Sequence, residues 1–127
     1  MIENDVILES VISTIDKVDA FTMEITLNVK GIVITGALIS RSTYLKGVAS
    51  DFEGNGEIGN VFSDMFTKLI ELKKEHTENA DDKDKTVYGV HLKNAQIFDG
   101  ESVHELGYWR GKLSSVDGFS FGKMEPR

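Results

Sequence analysis

The chain has no cysteine, one proline and one tryptophan. Without cysteine it can form no disulfide framework, no thiolate metal cluster and no cysteine nucleophile. Long hydrophobic runs are also missing. No segment approaches the roughly twenty apolar residues that span a bilayer, and the opening MIENDVILES lacks the basic start and unbroken apolar stretch of a signal peptide. These features predict a soluble, cytoplasmic protein with no membrane attachment. Basic residues are the minority, 14 against 21 acidic, for a net charge of -7 and a pI near 4.9. Such a surface repels phosphate backbones, so nucleic acid is not an expected partner.

Catalytic signatures are absent too. The three histidines, His76, His91 and His104, lack the i, i+4 pairing of a helical metal site and read as scattered surface residues. No serine sits in a nucleophile elbow, and Gly54-Asn55-Gly56 has no following Lys-Ser or Lys-Thr to hold a phosphate. The sequence therefore predicts no enzyme, no metal and no cofactor. At 127 residues and 14.1 kDa the chain fits a single domain, 1–127, burying roughly two-thirds of the surface its unfolded form exposes.

The strongest pattern present is FTMEITLNVKGIVITGALIS, residues 21–40. Phe21, Met23, Ile25, Leu27 and Val29 alternate with Thr22, Glu24, Thr26, Asn28 and Lys30, the period of a half-buried strand. Lys30-Gly31 is placed as a two-residue turn, which pairs Val29 with Ile32, Leu27 with Ile34, Ile25 with Gly36 and Met23 with Leu38. The opposite face of the second strand carries Val33, Thr35, Ala37 and Ile39, so that strand is expected to lie centrally or to be covered on both sides. Gly36 opposite Ile25 marks sharp curvature.

Around this hairpin, apolar spacing over residues 2–18 predicts an amphipathic helix on Ile2, Val6, Leu8, Val11, Ile12, Ile15 and Val18, capped by Asn4 or Asp5. Its many β-branched residues leave a strand as the alternative. Ser42 is placed to cap a short helix carrying Tyr44, Leu45, Val48 and Phe52. After the Gly54-Asn55-Gly56 break, a longer helix is expected from 57 to 75, its stripe of Ile58, Val61, Phe62, Met65, Phe66, Leu69, Ile70 and Leu72 facing the core. A partner groove is the alternative reading of that stripe. Residues 76–85 read as a mobile acidic loop. Strand patterning returns at Val87, with a bulge at Lys93-Asn94 and a turn or loop from Asp99-Gly100. A strand follows over 108–116, and Asp117-Gly118 is placed as a hairpin turn into 119–124. The fold class is α+β: a small, strongly bent antiparallel sheet, with an N-terminal helix and a helical insertion between strands 2 and 3.

The densest group of interaction-prone side chains is Tyr108-Trp109-Arg110-Gly111. Adjacent strand residues point to opposite faces, so one of Trp109 and Arg110 faces out. The plainer reading makes Trp109 a core anchor and Arg110 a surface charge. Together with Phe119 and Phe121 near a sheet edge, these are the candidate interaction residues.

The blocks FTMEITLNVKGIVITGALIS, HLKNAQIF and YWRGKLSSVDGFSFGK resemble the gas vesicle accessory protein GvpU family, and WRGK followed by VDGF is the most specific piece. With the intervening helix the resemblance spans about residues 20–123. Ala20 stands where a glycine is expected, and 101–107 diverges. The resemblance implies a non-catalytic cytosolic accessory factor that accompanies gas vesicle shell proteins and affects their assembly or clustering. Together with the aromatics near a sheet edge, it leads to the expectation that the chain acts by association, as a homo-oligomer and with gas vesicle shell or accessory proteins. A weaker resemblance is to Sm-like small barrels, through the hairpin and the Arg110-Gly111 pair. It implies a closed barrel with an RNA-binding or general protein-interaction role. The RNA-contacting Asp and Asn pair of that family is replaced here by a helical insertion, 41–85.

Overall fold

The computed structural model describes residues 5–18, 20–79 and 89–124, the side chains of 72–79 excepted. Eight elements follow in order: α1 (Val6–Lys17), β1 (Met23–Val29), β2 (Ile32–Ile39), α2 (Arg41–Phe52), α3 (Gly56–Asn79), β3 (Gly89–Asp99), β4 (Ser102–Lys112) and β5 (Val116–Phe121), with a 3-10 turn at Leu113–Ser115 before β5. They divide into two compact units, a sheet unit up to Arg41 and from 87 onward, and a helical unit over 42–86.

The sheet unit is a five-stranded antiparallel sheet in the order β4-β3-β2-β1-β5. β1 and β2 pair as the alternation requires: Met23 with Leu38, Ile25 with Gly36, Leu27 with Ile34 and Val29 with Ile32. Lys30 and Gly31 have φ of 52° and 89°, the two positive values of a turn whose twist matches its flanking strands. A non-glycine residue rarely adopts positive φ. Here the Lys30 N–H donates to Asp117 Oδ2 at 3.1 Å, and the Gly31 N–H to Asn28 Oδ1 at 2.9 Å. β2 is the central strand, as its two apolar faces predicted.

One face of the sheet holds the core. Ile25, Leu27, Leu38, Val90 and Leu92 are fully buried there, joined by Ile34, Ala95 and Leu113. α1 lays Leu8, Ile12 and Ile15 onto them, the i, i+4, i+7 row of one helix face. Asp5 caps α1, its carboxylate accepting from the N–H groups of Ile7 and Leu8. Val6 and Val18, expected on the packed face, are exposed. The helix phase puts Val6 on the solvent side of that row, and Val18 lies past the last turn as the C-cap, with non-helical dihedrals. On the other face the C-terminal segment crosses Thr26 and Thr35. Thr26 Oγ1 donates to the Gly122 carbonyl at 2.9 Å, and Thr35 Oγ1, 3.1 Å from the Thr26 hydroxyl, donates to the Ile25 carbonyl at 3.3 Å and accepts from the Met124 N–H at 3.0 Å.

Curvature has two visible causes. β3 bulges at Lys93-Asn94, where Asn94 has φ of 51° and the pairing to β4 jumps from Leu92 to Ala95. Gly36 lies against that bulge. A Cβ there would sit 3.1 Å from the Lys93 carbonyl oxygen and 3.2 Å from Ala95 Cα, a tight fit that would push the strands a few tenths of an ångström apart, so glycine favours this approach. The second cause is the link between the outer strands. A flat five-stranded sheet sets its edges about 19 Å apart, yet Lys112 to Val116 spans at most about 14 Å, so the sheet must curl. β4 and β5 nonetheless do not pair. The closed Sm-like barrel is thereby corrected to a bent open sheet.

Three further expectations change. Asp117-Gly118 forms no hairpin turn. It lies within β5, at the irregularity opposite Asn28 and Val29, and Leu113–Ser115 turns the corner with Leu113 buried. Residues 102–107, expected outside a strand, begin β4, paired to β3 across Gly100-Glu101. α3 extends to Asn79, so the first residues of the expected acidic loop are helical. The remainder of that loop, with Val87, Ile2, Asn4 and Pro126, lies outside the described residues.

In the helical unit α2 and α3 are joined at Glu53–Asn55, with Gly54 and Gly56 at φ of 86° and 83°. Phe52 stacks on Phe66 at 5.9 Å between centroids and meets Phe62 at 5.2 Å. Gly59 is buried where a Cβ would collide with the Phe52 carbonyl oxygen. Ser42, the expected cap, lies inside the first turn of α2, and its buried hydroxyl has no hydrogen-bond partner among the described residues.

Candidate interaction surface

β4 and β5 are the outer strands, and among the described residues no further strand pairs with either. β4 is eleven residues long, and most of it is exposed. Trp109 pairs with Leu92 and packs against the core half-buried, while Arg110 points to the other face and is exposed. The indole lies along its own strand over Gly111, where a Cβ would collide with the ring edge. Trp-Arg-Gly is thus a steric unit: residues i and i+2 share a strand face, and glycine gives the indole room to lie flat.

β5 carries Phe119 opposite Leu27 and Phe121 opposite Ile25. Phe119 packs against the core, and Phe121 is 57% exposed. Their rings meet edge to face at 5.5 Å and 74°, an arrangement favoured by the ring quadrupoles. The four candidate residues therefore form two pairs on opposite edges of the sheet order, not one continuous patch along a strand.

Of the histidines, His104 is exposed in β4, and His91 is 4% exposed in β3, which corrects its reading as a surface residue. The side chain of His76 lies outside the described residues. Among those residues no group of three His, Cys, Asp or Glu is placed to hold a metal, and no helix is long and apolar enough to cross a membrane.

Sequence reasoning missed two features. Arg41 ends the sheet unit, its N–H donating to Asp16 Oδ1 at 3.1 Å. Its pKa is lowered by burial and by the nearby charge of Arg110, with Asp16 acting the other way. Nothing in the spacing marks it. The second is the α3 stripe, expected to face the core. Ile58, Val61, Phe62 and Met65 are exposed, by 73% at Ile58, while Phe66, Leu69 and Ile70 are half-buried. The 58, 61, 62, 65 spacing carried that signal, though periodicity alone cannot tell a core from a partner face.

The family model described as gas vesicle protein GvpU-like matches residues 5–124. The chain belongs to the GvpU-like family. No curated protein and no solved structure matches significantly. The match takes in α1 and every strand, including the 101–107 stretch that diverges from the expected pattern.

Proposed function

We propose that this GvpU-like chain is a non-catalytic, cytoplasmic gas vesicle accessory protein. It works by association, with copies of itself and with gas vesicle shell or other accessory proteins, and so influences vesicle assembly or clustering. The observation that carries this reading is the family match over nearly the whole chain. Two features of the structure support association as its mode. Among the described residues no further strand pairs with the outer edges of β4 and β5, and open edges are templates for strand addition. The Phe119-Phe121 pair adds a partly exposed aromatic contact on β5, whose only acid, Asp117, accepts from the Lys30 backbone N–H.

The experiment is sedimentation velocity of the purified chain over a concentration series, repeated with isolated gas vesicle proteins and with a single-stranded RNA at several salt concentrations. Concentration-dependent growth in size, reduced in Phe121→Ser and Arg110→Ala, is the expected result. A monomer at every concentration that ignores the vesicle proteins and binds RNA with a steep salt dependence overturns the proposal in favour of the nucleic-acid role.

A further inference from the structure

Of the six asparagines in the chain, only Asn55 is followed by a glycine. An asparagine is lost when the backbone nitrogen of the next residue reaches its side-chain carbonyl carbon. A side chain on that next residue obstructs the approach, and glycine has none. The pair sits in the link between α2 and α3, where both residues are exposed to water. Gly56 has φ of 83°, and among the described residues nothing lies within 4 Å of the position of its missing Cβ. Gly56 is also the first residue of α3. The N–H groups of a helix's first turn have no acceptor within their own helix, so the attacking nitrogen is not tied into the α3 ladder.

The other steps of this kind are protected. Asn28 lies in β1 before Val29, its Oδ1 accepting from the Gly31 N–H. Asn60 lies inside α3 before Val61, and Asn94 precedes Ala95, which is buried. Asp117-Gly118 is held in β5, its carboxylate accepting from the Lys30 N–H. Asp99-Gly100 lies at a turn, but a carboxylate resists the nucleophile that a neutral carboxamide accepts.

We propose that Asn55 is a site of spontaneous deamidation and that the modification alters the α2–α3 link. The Gly56 nitrogen gives up its proton to water and, as the activated nucleophile, attacks Asn55 Cγ. The new N–C bond closes a five-membered imide while the Cγ–Nδ2 bond breaks, and the departing nitrogen takes up a proton and leaves as ammonia. Water then opens the imide at either carbonyl, with no oxidant, reductant or enzyme. One opening leaves aspartate at 55. The other leaves isoaspartate, in which the main chain runs through the former side chain and is one carbon longer.

The surroundings make the two products differ. Asn55 Nδ2 donates to the Asp51 carbonyl at 2.6 Å, a bond that neither carboxylate can make. Aspartate keeps the backbone, and its charge at the start of α3 suits the helix dipole. Isoaspartate lengthens the chain between Phe52 and Gly59, where a Cβ on Gly59 would already collide with the Phe52 carbonyl oxygen and where the Phe52 ring meets Phe62 and Phe66. It therefore pushes α3 off the end of α2. The site belongs to the helical unit alone, and it stands or falls independently of any gas vesicle association.

The test ages the full chain in mildly alkaline buffer and follows ammonia release, with peptide mapping and enzymatic methylation of isoaspartate to place each modified residue. Aspartate and isoaspartate should accumulate at position 55 at least about ten times faster than modification at any other Asn or Asp, a barrier difference of about 1.4 kcal/mol. Asn55→Gln should remove this phase of ammonia release. The aged chain should melt below fresh protein, whereas Asn55→Asp melts with it and aged Asn55→Gln does not decline. Intact Asn55 in a chain modified elsewhere, or ammonia release unchanged in Asn55→Gln, overturns the site. An aged chain, modified at 55, that melts with Asn55→Asp overturns the altered link.

Discussion

Leu27 is fully buried on β1, between Ile34 of β2 and Phe119 of β5. Truncating it removes apolar contacts on both sides and leaves a cavity that paired strands cannot close. Leu27→Ala should therefore cost about 2 to 5 kcal/mol, read as a lower midpoint in urea. An unchanged midpoint would mean that this row is not the core. Gly111 is tested differently, because Trp109 is the only tryptophan and its fluorescence reports its own surroundings. A methyl at 111 collides with the indole, and the far end of the ring moves only with the whole ring. Gly111→Ala should shift the emission to the red as the indole leaves the strand surface, with a loss of about 1 to 3 kcal/mol. An unaltered spectrum would contradict the packing of Trp109 over Gly111.

Elements were legible in the sequence to the extent that burial left a period. The β1–β2 hairpin was readable down to its register because one face of each strand is buried and Lys30-Gly31 fixes the turn. The first half of β4 was not, because Ser102 and residues 104–107 are exposed and an edge strand wet on both faces shows no alternation. Asp117-Gly118 misled for another reason. A turn-forming pair was used inside β5, where the Asp117 carboxylate secures the distant turn at Lys30, and no local pattern records such a contact. α3 shows the limit of helical periodicity, which gave the helix but not the side its stripe faces. Gly59 in α3 offers a test in which two effects oppose. Alanine favours a helix interior over glycine by about 1 kcal/mol, but a Cβ here meets the backbone carbonyl of Phe52 and the Asn55 side chain, and backbone cannot swing away. The clash should win. Gly59→Ala is expected to lower the thermal midpoint, and a raised midpoint would show that α3 does not approach the end of α2 so closely.

At the scale of the molecule, the order of helix, two strands, two helices and three strands was legible. Whether the sheet closes was not, since that depends on two outer strands whose edges carry no sequence signal. The candidate residues were legible as types only. Trp109 resolves into a half-buried side chain packed on the core, Arg110 into an exposed charge near Arg41, and Phe119 with Phe121 into an aromatic pair on the other edge. The single-domain reading becomes a proposal that the sheet and helical units fold together. Family membership and the outer strand edges support the central proposal, that the chain acts by binding to gas vesicles and not by turnover. The most direct measurement mixes the purified chain with isolated vesicles in cytosol-like salt and collects the buoyant layer after low-speed centrifugation. The account predicts that the wild-type chain rises with the vesicles in a saturable amount, and that folded Phe119→Ser and Arg110→Ala variants rise less. A wild-type chain that stays entirely in the lower phase at every concentration would contradict it.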